Sequence, residues 1–117
     1  MDASSSISKS RLFCEKLAGL IAGFESEDIS NLSQYEAIQY LNQPEILPDT
    51  IADIFHTVRK SGNKASHNGS NTPDEALFIL KKIFSLGKWF FETYDNDIIE
   101  DLSYELPPNN SVPINKA

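Results

Sequence analysis

A chain of 117 residues, 40% hydrophobic and 23% charged, is sized for one domain with one core. Its formal net charge of -7 argues against unspecific nucleic-acid binding by the chain as a whole. No run approaches the roughly 20 apolar residues of a membrane span, and the N-terminal MDASSSISKSR lacks the apolar stretch of a signal peptide. The single Cys14 cannot form an internal disulfide and falls short of a metal framework. A cytoplasmic, reducing location follows, with no cofactor and no metal.

Residues 5 to 24 predict a first helix. Ile7, Phe13, Leu17, Leu20, Ile21 and Phe24 recur every three or four positions, Leu12 widens the stripe, and Ser4, Ser5 or Ser6 serves as the cap. Gly23 and the acidic ESED run mark its end. Asn31 or Ser33 caps a second helix whose stripe is Leu32, Tyr35, Ile38 and Leu41, stopped by Asn42, Gln43 and Pro44. Pro48 suits the first turn of a third helix carrying Ile51, Ile54, Phe55 and Val58. Gly62 interrupts that pattern, so the third helix either bends there or ends before His67. The run NGSNTPDE is a loop and restart, with Thr72 as N-cap, Pro73 at the first helical position and Glu75 completing a capping box.

Residues 73 to 94 give the strongest helical signal. Ala76, Leu77, Leu80, Ile83, Phe84, Leu86, Phe90, Phe91 and Tyr94 leave little polar surface, a pattern expected of a helix central to a bundle. A short acidic segment with Ile98, Ile99 and Leu102 follows. Nothing alternates with period two. The expectation is an all-α bundle of four to five helices over residues 1-105, with a flexible tail or linker at 106-117.

Charge is unevenly placed. Arg59, Lys60, Lys64, Lys81, Lys82 and Lys88 hold six of the ten basic side chains, and only Asp74 and Glu75 are acidic between Arg59 and Lys88. The acids gather instead at Glu92, Asp95, Asp97, Glu100, Asp101 and Glu105. Lys60, Lys64 and Lys81 are therefore the candidate nucleic-acid contacts; the alternative is an ordinary solvated surface.

Arg11-x-x-x-Glu15, Leu32-x-x-Tyr35-x-x-Ile38, the run from Ile54 through Arg59, Gly62, Asn63 and Ala65 to His67, Glu75-Ala76-Leu77 and Leu86-Gly87-Lys88-Trp89-Phe90 occur in this order. Over residues 5 to 95 the order resembles the small helical domain of unknown function near the N-terminus of many type I restriction endonuclease R subunits. It is similar, more broadly, to the HEPN class of helical bundles. The resemblance implies an HEPN-like bundle in a restriction or related defence system, with a nuclease-helicase partner or fused domain. It also implies an Arg-Glu pair, with Glu15 as the acid for Arg59. Active HEPN ribonucleases place four to six residues between Arg and His and share one site between two protomers. Here seven residues separate Arg59 from His67.

Arg59, Asn63 and His67 are the candidate catalytic residues. An imidazole titrates near neutrality and suits general acid-base work. An arginine stabilises phosphate charge without changing its own protonation. The alternative is structural: His67 and Asn63 fix a bend, and Asn63 hydrogen-bonds backbone after Gly62. Trp89, Phe90 and Phe91 are core residues or base-stacking platforms, Cys14 is buried and inert, and His56 sits at a boundary. Two functions remain open. One is a non-catalytic docking or nucleic-acid-binding domain of a restriction-related system, with DNA or RNA as the possible ligand. The other is a metal-independent ribonuclease acting as a homodimer.

Overall fold

A computed structural model describes residues 2–68 and 71–105; the side chains of residues 66–68, 104 and 105 lie outside the description. The expected tail at 106-117 also lies outside it. Four helices follow one another: α1 (Ala3–Phe24), α2 (Gln34–Asn42), α3 (Asp49–Asn68) and α4 (Pro73–Glu105). Among the described residues there is no strand. The chain divides into two compact units, Met1–Gly87 and Lys88–Ala117.

In the first unit α1 packs along α3, and α2 closes on α3 with a smaller contact on α1. Part of each apolar stripe read from the sequence forms the core, while Leu12, Phe13, Leu20, Leu32 and Tyr35 of those stripes are exposed. Ile7, Leu17, Ile21, Ile38, Leu41, Phe55 and Val58 are buried, and Leu47, between α2 and α3, joins them. Burying side chains of this size stabilises by about 1.5–3 kcal/mol each, which is why α1 and α3 lie where their stripes meet.

The helix ends are set by local hydrogen bonds. Asp2, rather than one of the serines, caps α1 by accepting from the Ser5 amide at 3.1 Å. The end of α1 falls beyond Gly23. The Glu27 amide reaches back to the Ala22 carbonyl at 2.8 Å and the Ser26 amide to Gly23 at 3.2 Å. This double bond is the usual helix-ending motif, but Ser26 takes the left-handed position (φ 58°) that glycine normally fills. Ser33 and Glu36 form a capping box on α2. Asn42 donates to the Leu47 carbonyl and to Asp49, tying the end of α2 to the start of α3. The Pro48 carbonyl accepts from Ile51 and Ala52, so Pro48 precedes the first turn rather than occupying it. Thr72 and Glu75 cap α4 reciprocally, at 2.8 and 3.2 Å.

Two expectations fail. α3 runs unbroken through Gly62. The bend that glycine suggested is absent because the residue serves close packing instead. Nor is α4 buried all round. In the first unit Ile79 and Leu86 are buried, while Leu77, Phe78 and Leu80 are half exposed and Phe84 is 76% exposed. A helix flanked on one side only needs a single apolar stripe inside, and the second stripe of α4 remains on the surface. α4 continues past the acidic run to Glu105, with non-helical dihedrals at Tyr94 that split it into two helical segments. Within the second unit Phe90 and Tyr94 are buried, Trp89 meets the Tyr94 ring edge-on at 6.0 Å, and Phe91 is exposed. Of the three aromatic residues expected in a core, only Phe90 is fully inside.

Candidate functional site

Five of the six candidate site residues, Arg59, Lys60, Asn63, Lys64 and His67, lie on the second half of α3, and Lys81 lies on α4. Residues 59, 63 and 67 occupy one row of an unbroken helix, at i, i+4 and i+8. The His67 side chain itself lies outside the described residues.

Gly62 explains much of the local arrangement. Arg11 of α1 crosses directly over it. A β-carbon at position 62 would stand 2.5 Å from Arg11 Cδ, 2.7 Å from its Cβ and 2.9 Å from its Cγ. Only glycine allows this approach. The crossing brings the Arg11 guanidinium to the next residue, where Nη1 donates to Asn63 Oδ1 at 3.5 Å, a long bond. Arg11 Nε also lies 3.6 Å from Glu15 Oε2, one turn along α1. Arg11 therefore bridges α1 to α3.

Arg59 turns the other way. Its guanidinium carbon lies 5.1 Å from the centroid of the Tyr35 ring on α2, within cation-π range. The expected Arg59-Glu15 pair is absent: Glu15 is taken by Arg11, and α2 offers Arg59 an aromatic face instead. The same Tyr35 ring lies 5.4 Å from the His56 ring, and His56 Nε2 is 3.3 Å from Gln39 Oε1. Arg59 Nε and His56 Nδ1 are buried without a hydrogen-bond partner among the described residues. Burial, then the nearby Arg59 and Lys60 charges, holds the His56 imidazole below its ordinary range, against a smaller pull from Asp53. His56 is accordingly neutral at pH 7.

The lysines divide. Lys64 Nζ pairs with Glu75 Oε2 at 3.0 Å, pinning α3 to the start of α4. The Thr72 amide and Lys64 together hold Glu75 below the usual carboxylate range. Lys60 and Lys81 are exposed, on different helices. Cys14 is buried, and burial, aided by Glu15, pushes its thiol up to about 12, so it carries no thiolate at neutral pH. Among the described residues no three His, Cys, Asp or Glu side chains gather where they could hold a metal ion. No helix among them is long and apolar enough to cross a membrane.

Beside Arg59, the outer face of α2 forms a shallow depression of about 290 Å³. It is lined by Leu32, Tyr35, Glu36, Gln39, Tyr40 and Gln43. Tyr35 is 50% exposed, and the Tyr40 hydroxyl donates to Glu27 at 2.7 Å. Tyr35, Tyr40 and Gln39 were not singled out from the sequence as site residues. Their signal was an aromatic stripe on a nine-residue helix too short to bury all of it.

A family model matches residues 1–107, described as "Domain of unknown function (DUF4145)", and the chain belongs to that family. The chain is also similar to the type I restriction enzyme EcoKI endonuclease subunit of Escherichia coli (strain K12), with 26% identity over 99 residues. That match covers 82% of this chain and 8% of the relative, so the chain spans a small part of the relative's length. No solved structure matches the chain.

Proposed function

We propose that this DUF4145 domain is a non-catalytic docking module of a restriction-type nuclease system, built as an HEPN-like helical bundle and working in the cytoplasm. One observation carries the proposal. Arg59, Asn63 and Lys64 are engaged with neighbouring helices, while aromatic surface beside them stays exposed. Asn63 accepts from Arg11, Lys64 pairs with Glu75, and Arg59 lies on Tyr35. Tyr35 and Tyr40 line an open depression that includes Glu36, and the Arg59 guanidinium lies over the Tyr35 ring. Tyrosine and arginine presented together, with mixed rather than single-sign charge, suit a protein partner better than a phosphate backbone. The similarity to a restriction endonuclease subunit indicates which kind of partner to look for.

Two readings compete. The first is a dimeric, metal-independent ribonuclease using Arg59, Asn63 and His67, whose positions the unbroken α3 sets in one row, though with seven residues rather than four to six between Arg59 and His67. Exposed Lys60 and Lys81, with Lys64, would carry DNA or RNA binding. The test of the docking proposal is co-purification of the tagged chain from its own host, beside a Tyr35→Ser variant of unchanged melting temperature. Recovery of a restriction endonuclease subunit with the wild type, and its loss with Tyr35→Ser, is the expected result. Recovery of that subunit equally with both would remove the α2 face from the proposal. Recovery of nucleic acid alone, released by salt, would replace docking with nucleic-acid binding.

A further inference from the structure

Beside the α2 face stands an arginine whose charge is placed and whose donors are unused. The Tyr35 ring lies 5.1 Å from the Arg59 guanidinium carbon and engages its positive charge, not its N–H groups. Among the described residues no ion pair or hydrogen bond takes those groups, and Arg59 Nε is buried without an acceptor. A buried donor without an acceptor is costly, and native proteins keep few of them. The neighbouring acids are differently placed. Glu36, in the depression, accepts from the Ser33 amide at 2.9 Å, and Glu27 accepts from the Tyr40 hydroxyl at 2.7 Å. Asp53, one turn before His56, lines a separate cleft with Lys82 of α4. The acids of this face thus have internal partners, whereas the Arg59 fork has no acceptor.

Resting on the docking reading above, we infer that the partner segment presents the carboxylate of an aspartate or glutamate side chain to the Arg59 fork and seats an adjacent apolar side chain in the depression. A guanidinium matches a carboxylate through two parallel hydrogen bonds, each stronger than a neutral one. Contact with Tyr35 holds the fork in place beforehand, so less side-chain freedom is lost on binding. The depression of about 290 Å³ supplies the second contact, through the exposed Leu32, Tyr35 and Tyr40 side chains that line it. One acidic and one apolar side chain, close together in a partner's sequence, satisfy both features at once. Arginine and tyrosine side by side are also the residue types that carry most energy at protein interfaces. A phosphate would match the fork too. Glu36 and Glu27 on the same face, however, repel a backbone charged at every nucleotide, and a single carboxylate beside an apolar side chain avoids them.

The experiment is selection of random dodecapeptides, displayed on phage, against the whole chain. Enriched peptides are then synthesised and titrated against wild type, Arg59→Gln and Tyr35→Ser. They should share an Asp or Glu next to an aliphatic or aromatic residue. Replacing that acid by its amide in the peptide should weaken binding about tenfold. Arg59→Gln should weaken the acidic peptide by a similar factor and leave the amide peptide unchanged. The change in the peptide leaves the protein untouched, so its effect does not depend on how well a variant folds. Peptides that need Tyr35 but are indifferent to the loss of their acid would overturn the inference and leave the docking reading standing. No enrichment of any peptide that depends on Tyr35 would overturn it as well, while the co-purification with Tyr35→Ser reports on the docking reading separately. A labelled single-stranded oligonucleotide that displaces the acidic peptides, and itself loses affinity with Arg59→Gln, would overturn it in favour of a phosphate ligand.

Discussion

The α1–α3 seam and the first half of α4 are made of similar residues but used differently. Both are apolar at helical spacing, both contain a glycine inside the helix, and both carry lysines at their edges. In the seam Phe55 is fully buried, Gly62 lies under Arg11, and Lys64 is tied to Glu75. On α4 Phe84 is exposed, Gly87 faces open space, and Lys81 and Lys88 lie in solvent. The contrast shows that hydrophobic periodicity identifies a face that seeks a partner, without saying whether that partner is in the same chain.

The largest effects should separate the two phenylalanines. Phe55→Ala leaves a cavity in a filled core and is expected to destabilise by about 3–5 kcal/mol. Phe84→Ala removes a solvated ring and should change stability by no more than about 0.5 kcal/mol at low protein concentration. Chemical denaturation of both variants checks this, and equal losses would break the comparison.

The two glycines come next, with opposite signs. Gly62→Ala forces its new methyl against Arg11, a crowding cost of about 1–3 kcal/mol that should exceed the gain in helix propensity. Replacing Arg11 by glycine as well removes all three crowding atoms and should recover part of the loss. Gly87→Ala meets no atom and should stabilise the monomer by up to about 1 kcal/mol. Thermal melts of the three variants give the answer.

A smaller effect distinguishes the paired lysine from the free one. Lys64→Ala should lower the melting temperature slightly at low salt, and the difference should vanish at high salt, because the Lys64–Glu75 pair is largely solvated. Lys81→Ala should show neither effect.

The smallest concerns His56. Its folded-state pKa is depressed, so the unfolded chain takes up the proton first. The stability it contributes is fully present above the unfolded value of about 6.5 and is lost as pH falls through the folded value. Melting temperature should decline below that pH, and His56→Gln should flatten the decline. Glu75, also depressed, acts in the same direction but only in the more acidic carboxylate window.

Most of the fold could be read before any coordinates. Helix stripes follow from residue spacing, and the Thr72–Glu75 and Ser33–Glu36 capping boxes are local patterns that need no tertiary information. What escaped the sequence was long-range. Gly62 read as a helix breaker because its use, the passage of Arg11, depends on a residue far away in the chain. Arg59 was matched to an acid, since nothing local shows that Tyr35 of α2 offers it a ring. The burial of α4 was overestimated because apolarity around a helix reports the tendency to be covered, and the cover depends on how many helices surround it. The end of α1 at Phe24 was legible, but not that Ser26 of the ESED run takes the left-handed turn itself.

Our proposal treats Arg59, Asn63 and Lys64 as architecture rather than as part of an active site. Its most direct test is incubation of the purified chain with labelled structured RNA in EDTA, beside Arg59→Ala and His67→Ala. No cleavage above the protein-free control, by any of the three, is the predicted result. Cleavage by the wild type that both substitutions abolish, with melting temperatures unchanged, would contradict the claim and make the row of positions 59, 63 and 67 a catalytic one.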